Sequence, residues 1–94
     1  MAKILVIDDE PSITNLVSAY LKPEGYEVYT AADGNAGLKA ARVFKPDLII
    51  LDVMLPRKNG FEVCRELRQQ GRDVAVLMLT AKTQVVDRVV GLKL

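Results

Sequence analysis

Side chains that carry oxygen directly follow three apolar runs in this 94-residue chain. These side chains belong to Asp8, Asp9, Asp52 and Thr80. Carboxylates without histidine or thiolate suit a hard cation such as Mg²⁺, which completes its coordination shell with water and phosphate oxygens. A carboxylate can also attack phosphorus to form an aspartyl phosphate, and a threonine hydroxyl can donate a hydrogen bond to a phosphoryl oxygen. The four residues therefore form a candidate site for Mg²⁺ and phosphoryl chemistry.

The three apolar runs predict strands that position these side chains. The runs are residues 4–7, 48–51 and 74–79, and they predict strands over residues 3–8, 48–52 and 74–79. Their continuous apolar character is typical of strands buried on both faces. Residues 26–30 alternate, which predicts a shorter edge strand. Ligands of open parallel sheets bind outside the carboxyl ends of the strands. If the runs are parallel neighbours, the four candidate side chains converge at that edge.

Helical periodicity occupies the segments between the predicted strands. The predicted helices run from Pro11 to Leu21, from the cap residue Asp33 to about Phe44, from Phe61 to about Gly71, and over residues 83–92. Pro11 suits a first helical turn, and Gly25 suits a left-handed closing position. The order βαβαβαβα predicts an α/β fold with a parallel sheet, right-handed crossovers and helices on both faces.

We expect mainly structural roles for the residues in and after the loop that follows the third strand. Asn59-Gly60 could mark a hairpin, but the helical spacing that follows favours a loop entering a helix. The side chain of Met54 is expected to pack, and Cys64, the single cysteine, is expected in the core. Arg57 and Lys58 are expected to be solvated, although they could meet a partner near the site.

Five short motifs together resemble the receiver domain of two-component response regulators. They are Asp8-Asp9-Glu10, Ala32-Asp33-Gly34, Asp47-Leu48-Ile49-Ile50, Leu51-Asp52-Val53-Met54-Leu55-Pro56 with Asn59-Gly60, and Leu79-Thr80-Ala81-Lys82. These motifs occur in family order and cover the whole chain. The resemblance implies the flavodoxin-like, CheY-like fold, with strand order 2-1-3-4 for the four strands present here.

The resemblance also implies a role for each candidate residue. Asp52 would be the phospho-acceptor, and Thr80 would be the switch hydroxyl. Mg²⁺ would be held by Asp8, Asp9 and Asp52, helped by the backbone carbonyl of Met54. The phosphoryl donor would be a phosphohistidine on a sensor histidine kinase, and phosphorylation would switch interactions with an output domain or partner protein. Such a domain assists its own phosphorylation and is not a turnover enzyme.

The chain departs from the complete receiver pattern at its carboxyl end. A complete receiver continues into a fifth strand and a fifth helix, and residues 91–94 correspond to the point just before them. Residues 1–94 are therefore expected to form a receiver domain that is incomplete at the C-terminus. The switch aromatic and the lysine beside the phosphoryl group fall in the missing segment. Lys82 occupies a different motif position and is not given the lysine's role.

This departure leads to an expectation of self-association. With strand order 2-1-3-4, residues 74–79 become a sheet edge, whose unpaired N–H and C=O groups invite pairing with another chain. Without a fifth helix, apolar side chains of the first and third strands are expected to be uncovered. A homo-oligomer or a strand-exchanged assembly is the expected result.

Two other functional classes stand beside the signalling receiver. A phosphatase of the haloacid dehalogenase type needs a second aspartate two residues after its nucleophile, and this chain has Met54 there. A truncated or engineered receiver fragment would keep the fold core but lose switching. A nucleotide-binding flavodoxin-like domain is disfavoured, because no glycine-rich phosphate loop follows the first strand.

The composition limits which binding partners and which cellular compartment we expect for this chain. Thirteen Lys and Arg residues oppose 12 Asp and Glu residues, and this near balance of net +1 argues against direct nucleic-acid binding. No apolar run approaches the ~20 residues of a membrane span. The first strand follows Met1-Ala2 directly and leaves no room for a signal peptide, and a lone cysteine fits a reducing compartment. We expect a cytoplasmic domain without membrane contact.

Overall fold

The computed structural model describes residues 2–79, which form one parallel sheet and the helices that cover it. The strands are β1 Lys3–Ile7, β2 Glu27–Ala31, β3 Leu48–Asp52 and β4 Ala75–Leu79. The helices are α1 Pro11–Leu21, α2 Gly34–Phe44 and α3 Gly60–Gln69, with a short 3₁₀ turn at Lys22–Glu24. No described helix combines the length and the apolar character that crossing a bilayer needs.

The strand order is β2-β1-β3-β4, and all three pairings are parallel. This confirms the predicted flavodoxin-like arrangement, including the edge position of β2. Each strand lies within one residue of its predicted bounds. The helix predicted over residues 83–92 falls outside the described residues.

Local sequence signals set the helix ends. Pro11 occupies the first turn of α1. The Asp33 carboxylate caps α2 by accepting a hydrogen bond from the Ala36 N–H at 2.8 Å. Gly25 closes the 3₁₀ turn with φ of 92°, a left-handed conformation that glycine adopts without steric cost. These three predicted boundaries are confirmed.

The edge strand β2 is fixed to α2 by an aromatic pair. The rings of Tyr29 and Phe44 stack with their centroids 3.9 Å apart. The Tyr29 hydroxyl donates to Glu27 Oε2 at 3.0 Å, and this hydrogen bond raises the pKa of Tyr29. Neither Tyr29 nor Phe44 belongs to the acidic cluster, so we assign the pair a structural role.

Apolar residues of β1 and β3 alternate between two buried layers, which explains why their runs are continuous. The layer facing α2 and α3 contains Leu5, Ile7, Ile49, Leu51, Leu38, Val63 and Leu67. The opposite layer contains Ile4, Val6, Ile50 and Leu79, with Val17 and Leu21 of α1 packed against them. The central strands are therefore packed on both faces.

The expectation that apolar side chains of the first and third strands are uncovered is wrong. Ile4, Val6 and Ile50 expose only 4%, 1% and 8% of their surface. Val17 and Leu21 pack against this layer, together with side chains of β4. Ile4, Val6 and Ile50 therefore present little apolar surface to a partner chain.

Candidate functional site

The structure brings Asp8, Asp9 and Asp52 together at the carboxyl edge of the sheet. Each offers a carboxylate oxygen, and these oxygens all lie within 4.8 Å of one another. Asp52 is the last residue of β3, and Asp8 directly follows β1. The two strands are parallel neighbours in register, so both strands end at the same edge of the sheet. The acidic cluster therefore lies where the sequence predicts the site.

Burial and backbone hydrogen bonds fix the orientation of two of these carboxylates. Asp8 and Asp52 expose 3% and 1% of their surface, whereas Asp9 is exposed. Oδ1 of Asp8 accepts from the Glu10 N–H at 2.9 Å, and Oδ1 of Asp52 accepts from the Met54 N–H at 3.0 Å. Each donor lies two residues after its aspartate, as in an Asx turn. The same local geometry therefore orients both buried acids.

The electrostatics of the cluster favour a bound cation. Carboxylates at this separation repel one another, and burying two of them adds a desolvation cost that an opposite charge would offset. Because the three carboxylate oxygens lie within 4.8 Å of one another, Asp8, Asp9 and Asp52 would hold such an ion together. An all-oxygen donor set fits Mg²⁺, which prefers hard ligands.

A groove of about 260 Å³ opens beside the cluster. Its lining includes Asp8, Asp9, Pro11, Thr14 and Thr30. The groove is large enough for several waters beside Asp8 and Asp9. Both the exposed Asp9 and the buried Asp8 are therefore reachable from solvent.

The fourth predicted residue, Thr80, lies outside the described residues. The residue before it, Leu79, pairs with Asp52 in the sheet. The Leu79 carbonyl also accepts a hydrogen bond from the Val53 N–H at 3.0 Å. The described end of β4 therefore lies beside the exit of β3, next to Asp52.

Two expectations about the loop between β3 and α3 are wrong. The Met54 side chain exposes 68% of its surface, and the following residue, Leu55, packs into the core instead. Lys58 is not simply solvated, because its ammonium group forms an ion pair with Glu66 and its side chain exposes only 24%. The loop therefore turns Met54 outward and draws Lys58 onto α3.

Sequence reasoning misses how α3 begins. The Asn59 side chain accepts from the Glu62 N–H at 3.0 Å, and the Glu62 carboxylate accepts from the Asn59 N–H at 3.1 Å. This reciprocal capping box anchors the loop that carries Met54. The signal that would have revealed it is an N-cap residue followed three positions later by glutamate.

The chain belongs to the response-regulator receiver family. The family model described as "Response regulator receiver domain" matches residues 4–94. The fold, the strand order and the acidic cluster agree with this assignment. As a family, receiver domains bind Mg²⁺ at an acidic pocket and pair with sensor histidine kinases and output domains.

Among curated proteins, one relative is the alkaline phosphatase synthesis transcriptional regulatory protein PhoP of Bacillus subtilis. It is 55% identical over 92 residues, a match that covers 98% of this chain and 38% of the relative. The chain therefore spans about two fifths of the length of that protein.

Solved structures show the same fold. The chemotaxis response regulator CheY4 of Vibrio cholerae matches with a TM-score of 0.83 and 41% identity, covering 99% of this chain and 79% of that one. TrrA of Thermotoga maritima, solved in complex with Mg²⁺-BeF, matches with a TM-score of 0.80 and 40% identity, covering 93% and 76%. Both likenesses support the flavodoxin-like, CheY-like architecture.

Proposed function

We propose that this chain is the phospho-acceptor receiver domain of a two-component response regulator, with Asp52 as the acceptor. The observation that carries the proposal is the burial of Asp52, 1% exposed, in a cluster with Asp8 and Asp9. Burying a carboxylate among other carboxylates costs folding free energy. A site for Mg²⁺ and a phosphoryl group would use this arrangement, in which three carboxylates converge at the carboxyl edge of the sheet.

The proposed reaction transfers a phosphoryl group to the Asp52 carboxylate. One carboxylate oxygen forms a bond to phosphorus while the bond from phosphorus to the imidazole nitrogen of a phosphohistidine breaks. The electron pair of the broken bond stays on the imidazole, which is protonated as it leaves. The Met54 N–H holds Oδ1 of Asp52 and so fixes the orientation of the attacking group.

The proposed metal ligands are Asp8, Asp9, Asp52 and the backbone carbonyl of Met54. When bound, Mg²⁺ neutralises charge on the phosphoryl oxygens. The exposed position of Asp9 beside the groove supports access of the ion from solvent. Thr80 is the proposed switch hydroxyl, and that role stays a prediction.

The proposed donor is a sensor histidine kinase, and the proposed target is an output domain or partner protein. The family match over residues 4–94 and the relative's name as a transcriptional regulatory protein support this pairing. We assign residues 1–94 to the receiver domain, a phospho-acceptor rather than a turnover enzyme, in the cytoplasm. The incompleteness of the domain at its carboxyl end stays a prediction.

A homo-oligomer or strand-exchanged assembly is a further proposal. Within residues 2–79, β4 pairs with β3 alone, which leaves its other edge available to a strand. This edge also supports the alternative of a fragment that associates and no longer switches. Sedimentation equilibrium at micromolar concentrations should give masses above 10.4 kDa, the mass of one chain. A monomer at every concentration would contradict the proposal.

The phospho-acceptor proposal is tested by intact-mass spectrometry after incubation with acetyl phosphate, a small phosphoryl donor. We expect the chain to gain the mass of one phosphoryl group when Mg²⁺ is present. The gain should disappear when EDTA removes the ion. A chain that binds Mg²⁺ but gains no mass would contradict the proposal and support the non-switching fragment.

A further inference from the structure

Helix α3 begins at a glycine that touches the backbone of Asp52. The Gly60 N–H donates to the Val53 carbonyl at 2.9 Å. A Cβ atom built on Gly60 would lie 2.7 Å from the Asp52 carbonyl oxygen and 2.8 Å from the Val53 Cα. Gly60 is not among the glycines with positive φ, which are Gly25 and Gly71 in the described chain. Close approach, not backbone conformation, therefore requires glycine at this position.

The atoms that an added methyl group would displace belong to the peptide group that joins Asp52, the proposed acceptor, to Val53. They are backbone atoms, so they cannot rotate away as the tip of a flexible side chain would. Either α3 must retreat or the peptide between Asp52 and Val53 must move. Two hydrogen bonds depend on that peptide: Val53 N–H to the Leu79 carbonyl at 3.0 Å, and Met54 N–H to Asp52 Oδ1 at 3.0 Å. A shift of the peptide therefore reaches the carboxylate directly.

Gly34 provides a matched comparison at the start of α2. It is also buried, also the first residue of its helix, and also preceded by a residue that caps the helix. A Cβ atom built on Gly34 would lie 2.8 Å from Val63 Cγ2 and 3.3 Å from two side-chain carbons of Lys58. The close neighbours of Gly34 are thus side chains, whereas those of Gly60 are the backbone of Asp52 and Val53.

We propose that Gly60 is a positioning residue for Asp52. Its lack of a side chain lets α3 pack against the exit of β3 and sets the direction of the Asp52 carboxylate toward Asp8 and Asp9. This inference rests on the proposed function, because the direction of the carboxylate matters for Mg²⁺ binding and phosphoryl acceptance.

The test compares Gly60→Ala with Gly34→Ala, after circular dichroism has shown that both variants fold. The amide signal of Met54 in a ¹H–¹⁵N NMR spectrum reports its hydrogen bond to Asp52. We expect this signal to move in Gly60→Ala and to stay in place in Gly34→Ala. Calorimetric titration should show Mg²⁺ affinity weakened on the order of 10- to 100-fold in Gly60→Ala alone, the usual cost of disturbing the groups that orient metal ligands.

Several outcomes would overturn the proposal. An unchanged Met54 signal with unchanged Mg²⁺ affinity in Gly60→Ala would do so, and so would equal changes in the two variants, which would indicate general packing damage. If Gly60→Ala is unfolded in buffer, both variants are measured in trimethylamine N-oxide, which favours the folded state. Failure to fold even there would assign Gly60 a role in stability instead of positioning.

The readouts separate this inference from the function on which it rests. A wild-type chain that is never phosphorylated would refute the acceptor role of Asp52. The Met54 signal and the Mg²⁺ affinity would still decide whether Gly60 directs the carboxylate, because neither requires phosphoryl transfer.

Discussion

The central strand β3 has an aspartate at each end, and the two differ in almost every physical respect. Asp47, just before the strand, is exposed and makes two hydrogen bonds to the backbone of Lys3. Asp47 Oδ2 accepts from the Lys3 N–H at 2.8 Å, and the Asp47 N–H donates to the Lys3 carbonyl at 2.8 Å. Asp52, the last residue of the strand, is buried within a group of three carboxylates.

The comparison separates an acid that supports strand pairing from the proposed acceptor at the other end of the same strand. At the amino end, solvent and the Lys3 backbone satisfy the charge, so Asp47 contributes to strand pairing at little cost. At the carboxyl end, burial and repulsion make the charge costly. Our proposal is that a cation and a phosphoryl group use this end of the strand.

The largest expected effect is on phosphorylation, which should require Asp52 but not Asp47. Asp52→Asn should abolish the mass gain under acetyl phosphate and Mg²⁺, because an amide is not a nucleophile toward phosphorus in this role. Asp47→Asn should keep the full gain. Intact-mass spectrometry of both variants makes the comparison. Loss of the gain in Asp47→Asn, with the fold intact, would break the distinction drawn between the two ends.

The next effect concerns the cation. Asp9→Asn removes a proposed charged ligand from the carboxyl-end cluster and should weaken Mg²⁺ binding by at least about tenfold. Changes in residues that only support metal ligands already weaken metal binding by about this factor. Asp33→Asn is the control, since Asp33 caps α2 and stands outside the cluster. Calorimetric titration of the two variants measures the difference. Equal affinities would remove Asp9 from the site.

Stability should respond with opposite sign at the two ends. Without Mg²⁺, Asp52→Asn should raise the free energy of unfolding by about 0.5–2 kcal/mol, because it removes a repelling charge while its oxygen still accepts from Met54. Asp47→Ala should lower it by about 0.5–1.5 kcal/mol, the usual cost of one hydrogen bond. Urea unfolding measures both changes. A destabilised Asp52→Asn would show that the cluster is not under electrostatic strain.

The smallest expected effect is on stability, and it concerns how the start of α3 supports the carboxyl end of β3. Asn59→Ala removes one half of the capping box and should lower the free energy of unfolding by about 1 kcal/mol. The phosphoryl gain of the folded variant should persist, because Gly60 still packs against the exit of β3. Urea unfolding and intact-mass spectrometry check the two parts. A large loss of phosphorylation would mean that the cap itself positions Asp52.

Much of the fold could be predicted because its signals are local. Continuous apolar runs predict β1 and β3, Pro11 and Asp33 mark helix starts, and Gly25 marks a turn. The convergence of Asp8 and Asp52 also follows from the sequence, since parallel neighbours bring their carboxyl ends to one edge. Periodicity and strand direction are sufficient for these features.

What the sequence could not predict depends on contacts between distant segments. The outward turn of Met54, the ion pair of Lys58 and the approach of Gly60 to the Asp52 backbone require knowing how α3 docks. The cover that Val17 provides over β1 and β3 likewise depends on where α1 packs. Apolar pattern identifies such residues as buried or exposed on average, but it does not give their partners.

The most direct test of the central claim locates the phosphoryl group chemically. Borohydride reduces an aspartyl phosphate to homoserine, which peptide sequencing by mass spectrometry can place at a single residue. After treatment with acetyl phosphate and Mg²⁺, we predict homoserine at position 52 and unmodified aspartate at position 47. Homoserine at any other position, with Asp52 unmodified, would contradict the account.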